Sequence, residues 1–213
     1  MPENDPLITT AQPFYAALQA HNTRDWWQEN RATYDDQIKP AAGALLDEIA
    51  PQLASLTGEA IRPKLFRPHR DVRFSKDKRP YNTHLHMMWT VAAEGRQDPA
   101  FFFGIDISEV FVGIGIMEFE KSVLDDWRKL VDLDAARVGG IIAAAEVQGF
   151  RLWEPVLKRV PPPYTADHPM ERLLRMKGLV ATRPLDRLGP LPDRLMAAYA
   201  DAMPVMEFLL SLV

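Results

Sequence analysis

THLHMMWTVAAEGRQDPAFFFGIDISEVFVGIGIM, residues 83–117, contains three runs that read as β-strands. In the first, 83–92, Leu85, Met87, Trp89 and Val91 fall on one face and His84, His86, Met88 and Thr90 on the other. That period of two is what a strand with unlike faces imposes. The other two runs, 100–106 and 110–117, are almost wholly apolar and are separated only by Ile107-Ser108-Glu109, a spacing short enough for a hairpin. Upstream, 65–74 reads as a further strand that places Arg67, His69, Asp71, Arg73 and Ser75 on one face, with Phe66, Val72 and Phe74 turned toward the core. An antiparallel sheet of about 4–6 strands is the economical reading.

The flanking segments are helical in period. Phe14, Ala17 and Leu18 place a helix at 10–20, and His21-Asn22-Thr23 interrupts it with cap-prone residues. Thr23 can cap a second helix, in which Trp27, Tyr34 and Ile38 form a stripe and Pro40 marks the end. A third helix at 41–56 has a kink or break at Pro51. After the sheet, 118–127 and 133–147 read as helices, 151–160 as extended chain, and Pro161-Pro162-Pro163 as a stiff loop. Short helices at 169–176 and 192–212, the latter broken or kinked at Pro204, complete the chain. The predicted class is therefore α+β: a largely antiparallel sheet packed against N-terminal, central and C-terminal helices, in a single domain over 8–213.

Composition narrows the chemistry. The chain has 213 residues, 47% of them hydrophobic, and no cysteine, so it can bury a full core but holds no disulfide, thiolate zinc site or cysteine nucleophile of its own. The start, MPENDPLITT, has no apolar core of a secretory signal, and Asp106, Ser108 and Glu109 interrupt the apolar run 101–117. A cytoplasmic protein that does not engage membrane is expected. No GxSxG, Walker loop, HExxH or GxGxxG occurs.

Charge supplies the functional clue. Between Arg62 and His86 lie eight Lys/Arg against two Asp, a net +6, whereas the remaining 17 basic and 27 acidic residues give −10. A basic island in an acidic chain suggests a site for a small anion, because an arginine fork grips phosphate or carboxylate through paired hydrogen bonds. Arg67, Arg70, Arg73, Lys76 and Lys78 are the candidate ligands, with Asp71 or His84 as general base if the protein is an enzyme. An Asp beside two Arg has a low pKa and suits an orienting role, so His84 is the better base. The plain alternative is a salt-bridge network in which Asp71 and Asp77 fix a turn. His69, His84 and His86 together do not make a persuasive metal set, since two His on a polar strand face are more often solvated. No cofactor is expected. On the second helix, Trp26, Trp27 and Tyr34 read mainly as core, and Asn30 and Arg31 are candidates to line the same cleft as the basic run.

Three elements, HNTRDWWQENRATY at 21–34, LFRPHRDVRFSKDKRPYNTH at 65–84 and VLKRVPPPYTADHPMERLLRMKGL at 156–179, resemble the bacterial and fungal family known as domain of unknown function 2461. The resemblance implies important positions at Asn22, Asp25, Trp27, Asn30 and Arg31, then Arg67, Arg70, Asp71, Arg73, Ser75, Lys76, Asp77, Lys78, Tyr81 and His84, and later Lys158, Arg159, Tyr164, His168 and Lys177. It implies no particular reaction. The chain departs from the family pattern at Asn82, His86 and Pro163, where Lys, a small residue and Gly are common.

Two other functions compete with small-anion binding. A scaffold could dock an acidic protein partner on the basic strip. Nucleic-acid binding would use Phe66, Phe74, Tyr81 and Trp89 as stacking platforms, but strand parity assigns Phe66, Phe74 and Trp89 to the core and the surrounding negative charge repels a long polyanion.

Overall fold

The computed structural model describes residues 5–185 and 189–213. Its centre is an antiparallel sheet of six strands in the order β1-β2-β3-β4-β6-β5, comprising β1 Ala60–Leu65, β2 Leu85–Ala92, β3 Ala100–Ile105, β4 Val110–Ile116, β5 Arg151–Leu152 and β6 Leu179–Pro184. The alternation in β2 places Leu85, Met87, Trp89 and Val91 in the core and leaves His86, Met88 and Thr90 half-buried on the other face. Strands β3 and β4 form the expected hairpin, closed where the Asp106 N–H donates to the Glu109 carbonyl at 2.7 Å.

The helices are α1 Pro6–Ala20, α2 Arg24–Thr33, α3 Lys39–Thr57, α4 Lys121–Leu133, α5 Ala135–Val147, α6 Glu171–Leu174, α7 Leu191–Asp201 and α8 Met203–Leu212. Helix α1 starts at Pro6 because the Asp5 carboxylate caps it, accepting from the Leu7 N–H at 2.8 Å. The Thr23 hydroxyl caps α2 as its sequence position suggests, accepting from the Trp26 N–H. Pro40 does not end the helix. A π-helical turn, Tyr34–Ile38, joins α2 to α3, and Pro40 falls in the first turn of α3, where its missing N–H is tolerated. Helix α3 also continues through Pro51. The predicted C-terminal break occurs at Ala202, where α7 and α8 meet at 56° and Pro204 opens the second helix.

Buried polar groups fasten these helices to the sheet. The Trp89 indole N–H donates to the Leu46 carbonyl of α3 at 3.1 Å, and the Tyr199 hydroxyl of α7 donates to the Phe102 carbonyl of β3 at 2.9 Å. Each satisfies a donor that would otherwise cost about 1–3 kcal/mol when buried. Helix α8 buries Val205, Met206, Phe208 and Leu209, and the Trp127 ring of α4 lies 6.0 Å from Phe208. No single helix among the described residues is long and apolar enough to cross a membrane.

The strand expected over 65–74 is absent, and the chain leaves the sheet at Leu65. Beyond it, the Arg70 N–H donates to the Pro80 carbonyl and the Asn82 N–H to the Pro68 carbonyl, making a short neck whose one bridge pairs His69 with Tyr81. Residues 71–79 form a loop above this neck. Two local interactions displace the strand: the Asp71 carboxylate accepts from the Arg73 N–H at 3.2 Å and the Asp77 carboxylate from the Arg79 N–H at 3.0 Å. Such Asp turns compete with a strand ladder for the same backbone donors. The inward row inferred from strand parity therefore fails: Phe74 is 96% exposed, and Phe66 is half-buried against His86.

Candidate functional site

Asn22, in the turn between α1 and α2, organises the cleft from which the rest of the site is built. Its side-chain amide donates to the Tyr81 carbonyl at 2.9 Å and its Oδ1 accepts from the Tyr81 N–H at 3.1 Å, standing in for a neighbouring strand. Held this way, the Tyr81 ring stacks on Trp27 with centroids 4.6 Å apart and planes 16° apart. The His69 ring meets both edge-on, at 4.9 Å from Tyr81 and 5.6 Å from Trp27. Tyr34 and Phe14 extend the cluster beneath Trp27, so the aromatic stripe of α2 is at once core and cleft wall.

Above this wall is an open cleft of about 410 Å³, lined on one side by Trp27, Arg31, Tyr34, Asp35 and Lys39, and on the other by Phe66, Arg67, His69 and Tyr81. Helix α2 and the basic run thus meet here, as the sequence suggested for Arg31. The π-helical turn contributes Tyr34 and Asp35 and leads into Lys39, whose N–H donates to the Tyr34 carbonyl across the wider turn. Such turns recur at functional sites because the extra residue redirects side chains.

The lining has three cations, Arg31, Lys39 and Arg67, against one carboxylate, Asp35. Arg31 holds Asp35 through Nε and Nη2 at 3.0 and 2.9 Å. The Arg67 side chain has no hydrogen-bond or ion-pair partner among the described residues, and senses Asp71 only through longer-range attraction. Burial pushes the Tyr81 hydroxyl upward, with Arg24 and Arg31 pulling the other way. It remains a neutral hydrogen-bonding group at pH 7.

The other basic residues are arranged differently. Arg70 Nη1 donates to Asp77 at 2.9 Å and to the Arg79 carbonyl at 3.0 Å, while Arg79 chelates the same Asp77 carboxylate. Arg73 chelates Asp71 at 2.6–3.1 Å, and the Lys78 ammonium donates to the Val72 carbonyl at 3.0 Å. The Arg79 hydrogen bonds hold the Asp77 carboxyl far below the usual carboxylate range, and those from Arg73 hold Asp71 low. Arg73 is 76% exposed, so these pairs shape the loop more than they stabilise the fold. Ser75 is half-buried in this loop, with its N–H on the Val72 carbonyl, and Lys76 is exposed. Neither lines the cleft.

Several other predicted positions stand apart. The Asn30 amide is engaged by the Trp26 carbonyl at 2.8 Å within its own helix. Lys158 and Arg159 border a separate open groove with Val160, Ala166, Glu171 and Arg175. His168 ties its loop to α4, accepting from the Met170 N–H and reaching Asp132 at 3.3 Å. The base candidates Asp71 and His84 are not in the cleft lining, His84 facing a hollow on another side of β2. Among the described residues no three His, Asp or Glu side chains converge as a metal would require. The sequence assigns Tyr34 and Phe66 to the core rather than to a cleft and gives no role to Lys39, whose place at the cleft depends on the π-helical turn, which hydrophobic periodicity does not reveal.

This is an α+β protein with an open antiparallel sheet and an aromatic-walled basic cleft beside its first strand. The chain matches, over residues 10–211, the family described as "Conserved hypothetical protein (DUF2461)", and it belongs to that family. No curated protein matches it.

Proposed function

We propose that the cleft between α2 and the 66–69 segment binds a small anionic molecule, phosphorylated or carboxylated. The observation that carries this reading is the convergence of Arg31, Lys39 and Arg67 on one concavity with an aromatic wall. Arg67 is the primary ligand: its guanidinium has all its donors available and can present them in pairs to a phosphate or carboxylate. Arg31 has Nη1 left over after engaging Asp35, and Lys39 adds a mobile charge. The Tyr81–Trp27 stack, each ring only 5% exposed, gives the cleft a rigid apolar wall, and the Tyr81 hydroxyl offers a hydrogen bond. The acidic composition, with a pI near 5.8, supports a cytosolic setting.

The test is the melting temperature against a panel of sugar phosphates, nucleotides, di- and tricarboxylates and short oligonucleotides. A ligand present at about 100 times its dissociation constant adds roughly 2.7 kcal/mol, a shift of several degrees for a domain this size. A selective shift from one class of small anion is expected. A flat response to every small anion, or a response to oligonucleotides alone that collapses with added salt, contradicts the reading.

One observation favours a second reading for the loop itself. Phe74 projects 96% exposed from the 71–79 loop beside Arg73, whose guanidinium lies 5.9 Å from the ring centre. A basic loop tipped by a bare aromatic suits docking on an acidic protein surface with an apolar dent. A stoichiometric acidic partner that co-purifies with the wild-type protein and is lost with Phe74→Ser supports it; equal recovery with both removes it.

A further inference from the structure

A second concavity lies on the sheet face opposite α3. Leu85, Met87 and Trp89 of β2 point toward the helices, and His86 and Met88 point away. Across the sheet, register places His86, Gly104 and Phe111 in one row, and Phe102, Gly113 and Thr182 in the next. The glycines let neighbouring side chains lie low on the sheet, and the hollow opens above them. A Cβ at Gly104 would lie 2.2 Å from the Phe111 ring, so that ring is laid flat over β3, and a Cβ at Gly113 would crowd Thr182 at 2.9 Å. Trp153, tied by its N–H to the Val180 carbonyl at 3.0 Å, and Met117 form the rim, 48% and 60% exposed. The space measures about 180 Å³.

Two features distinguish this hollow from ordinary surface. Its walls are unusually aromatic: the His86 ring lies 5.9 Å from Phe102 and 6.5 Å from Phe111, with Phe66 stacked behind it at 5.0 Å. In addition, the imidazoles of His84 and His86 stand 6.1 Å apart at its edge, and neither side chain has a hydrogen-bond partner among the described residues. A half-buried imidazole beside an apolar space retains a donor and an acceptor for whatever enters.

We propose that this hollow binds a small uncharged aromatic molecule with one hydrogen-bonding group, of the size of indole or phenol. Its ring lies between Phe102, Phe111 and Trp153, and its polar group meets the His84–His86 pair. The size fits, since an apolar cavity of roughly 150 Å³ accommodates benzene. The charge fits as well: burial and the neighbouring His84 draw His86 down to about 4, so it offers no positive charge at pH 7, and Asp106 on the rim repels anions. The proposal does not rest on the anion cleft, which has a different lining and shares only the Phe66 wall.

The test is a titration of the full-length protein with indole, followed through the ring resonances of its five histidines by NMR, with benzoate as the charged comparison. Saturable shifts are expected at His84 and His86, while His69 in the cleft, and His21 and His168, which do not line the hollow, stay in place, and benzoate binds at least about tenfold more weakly. His86→Phe keeps a ring and removes the polar atoms, and should weaken indole about fivefold. Thr182→Leu fills the floor and should abolish binding. If Thr182→Leu fails to fold, the wild-type shifts and His86→Phe still decide. No saturable shift at His84 and His86 up to millimolar indole, shifts spread over all five histidines, or unchanged affinity in His86→Phe would overturn the proposal.

Discussion

His86 is a base kept from its proton by its surroundings. Burial, reinforced by the neighbouring His84, draws it down from the ordinary imidazole range to about 4. In the unfolded chain it titrates near 6.5, so between those values the unfolded state takes up a proton that the native state refuses. This contribution to stability is fully present above about pH 6.5, is lost as pH falls toward 4, and amounts to at most about 3 kcal/mol before its exposed edge is discounted. An NMR titration of the His86 ring should show a midpoint near 4. A midpoint at the ordinary value would show that its burial has no electrostatic consequence. His86→Phe should flatten the fall in melting temperature across the same window. Asp77 follows the carboxylate rule: with its pKa depressed by Arg79 and Arg70, the support it gives the loop is present above the ordinary carboxylate range and is lost as pH falls below it.

Among the elements, the Asn22–Tyr81 clamp and the β4–β6 seam carry the clearest consequences. Asn22→Ala removes two part-buried hydrogen bonds and should cost about 2 kcal/mol. It should also loosen Tyr81 from Trp27, which chemical denaturation followed by tryptophan fluorescence would register. Gly115 sits at φ +144°, and a Cβ there would lie 2.0 Å from the Leu179 carbonyl oxygen. Gly115→Ala should therefore destabilise the seam by about 3 kcal/mol or more. Strand β2 was legible because its two faces meet different surroundings, so its alternation is written in full from Leu85 to Val91. The basic run could be read in the same way, yet its aspartates capture the nearby N–H groups and turn the chain away from the sheet. Strand β1 carries Arg62, Pro63 and Lys64, three exposed positions in a row, which only an edge strand tolerates, and β6 was hidden among proline-rich segments. The π-helical turn adds a residue without disturbing the stripe of Trp27, Tyr34 and Ile38, so Lys39 could not be assigned to the cleft in advance.

At the scale of the whole molecule, one sheet supports two chemically distinct concavities with Phe66 between them. The cleft beside β1 takes its cations from a helix and a loop, whereas the hollow over β3 and β4 depends on glycines in the strands. Arg31, Arg67 and Tyr81 were singled out in sequence and line one cleft; that Asp71 and Asp77 could tie a turn was also legible, but that Asp71 would take Arg73 and Asp77 would take Arg70 and Arg79 was not, because charge counts do not reveal which aspartate each cation meets. That division yields the decisive experiment. The melting temperature should be measured with and without a panel of small phosphates and carboxylates for the wild-type protein, Arg67→Ala and Arg73→Ala, two exposed arginines whose removal leaves the core intact. The cleft account predicts a ligand-dependent shift in the wild type that persists in Arg73→Ala and disappears in Arg67→Ala. A shift that survives in Arg67→Ala and disappears in Arg73→Ala would place the anion on the loop and contradict it.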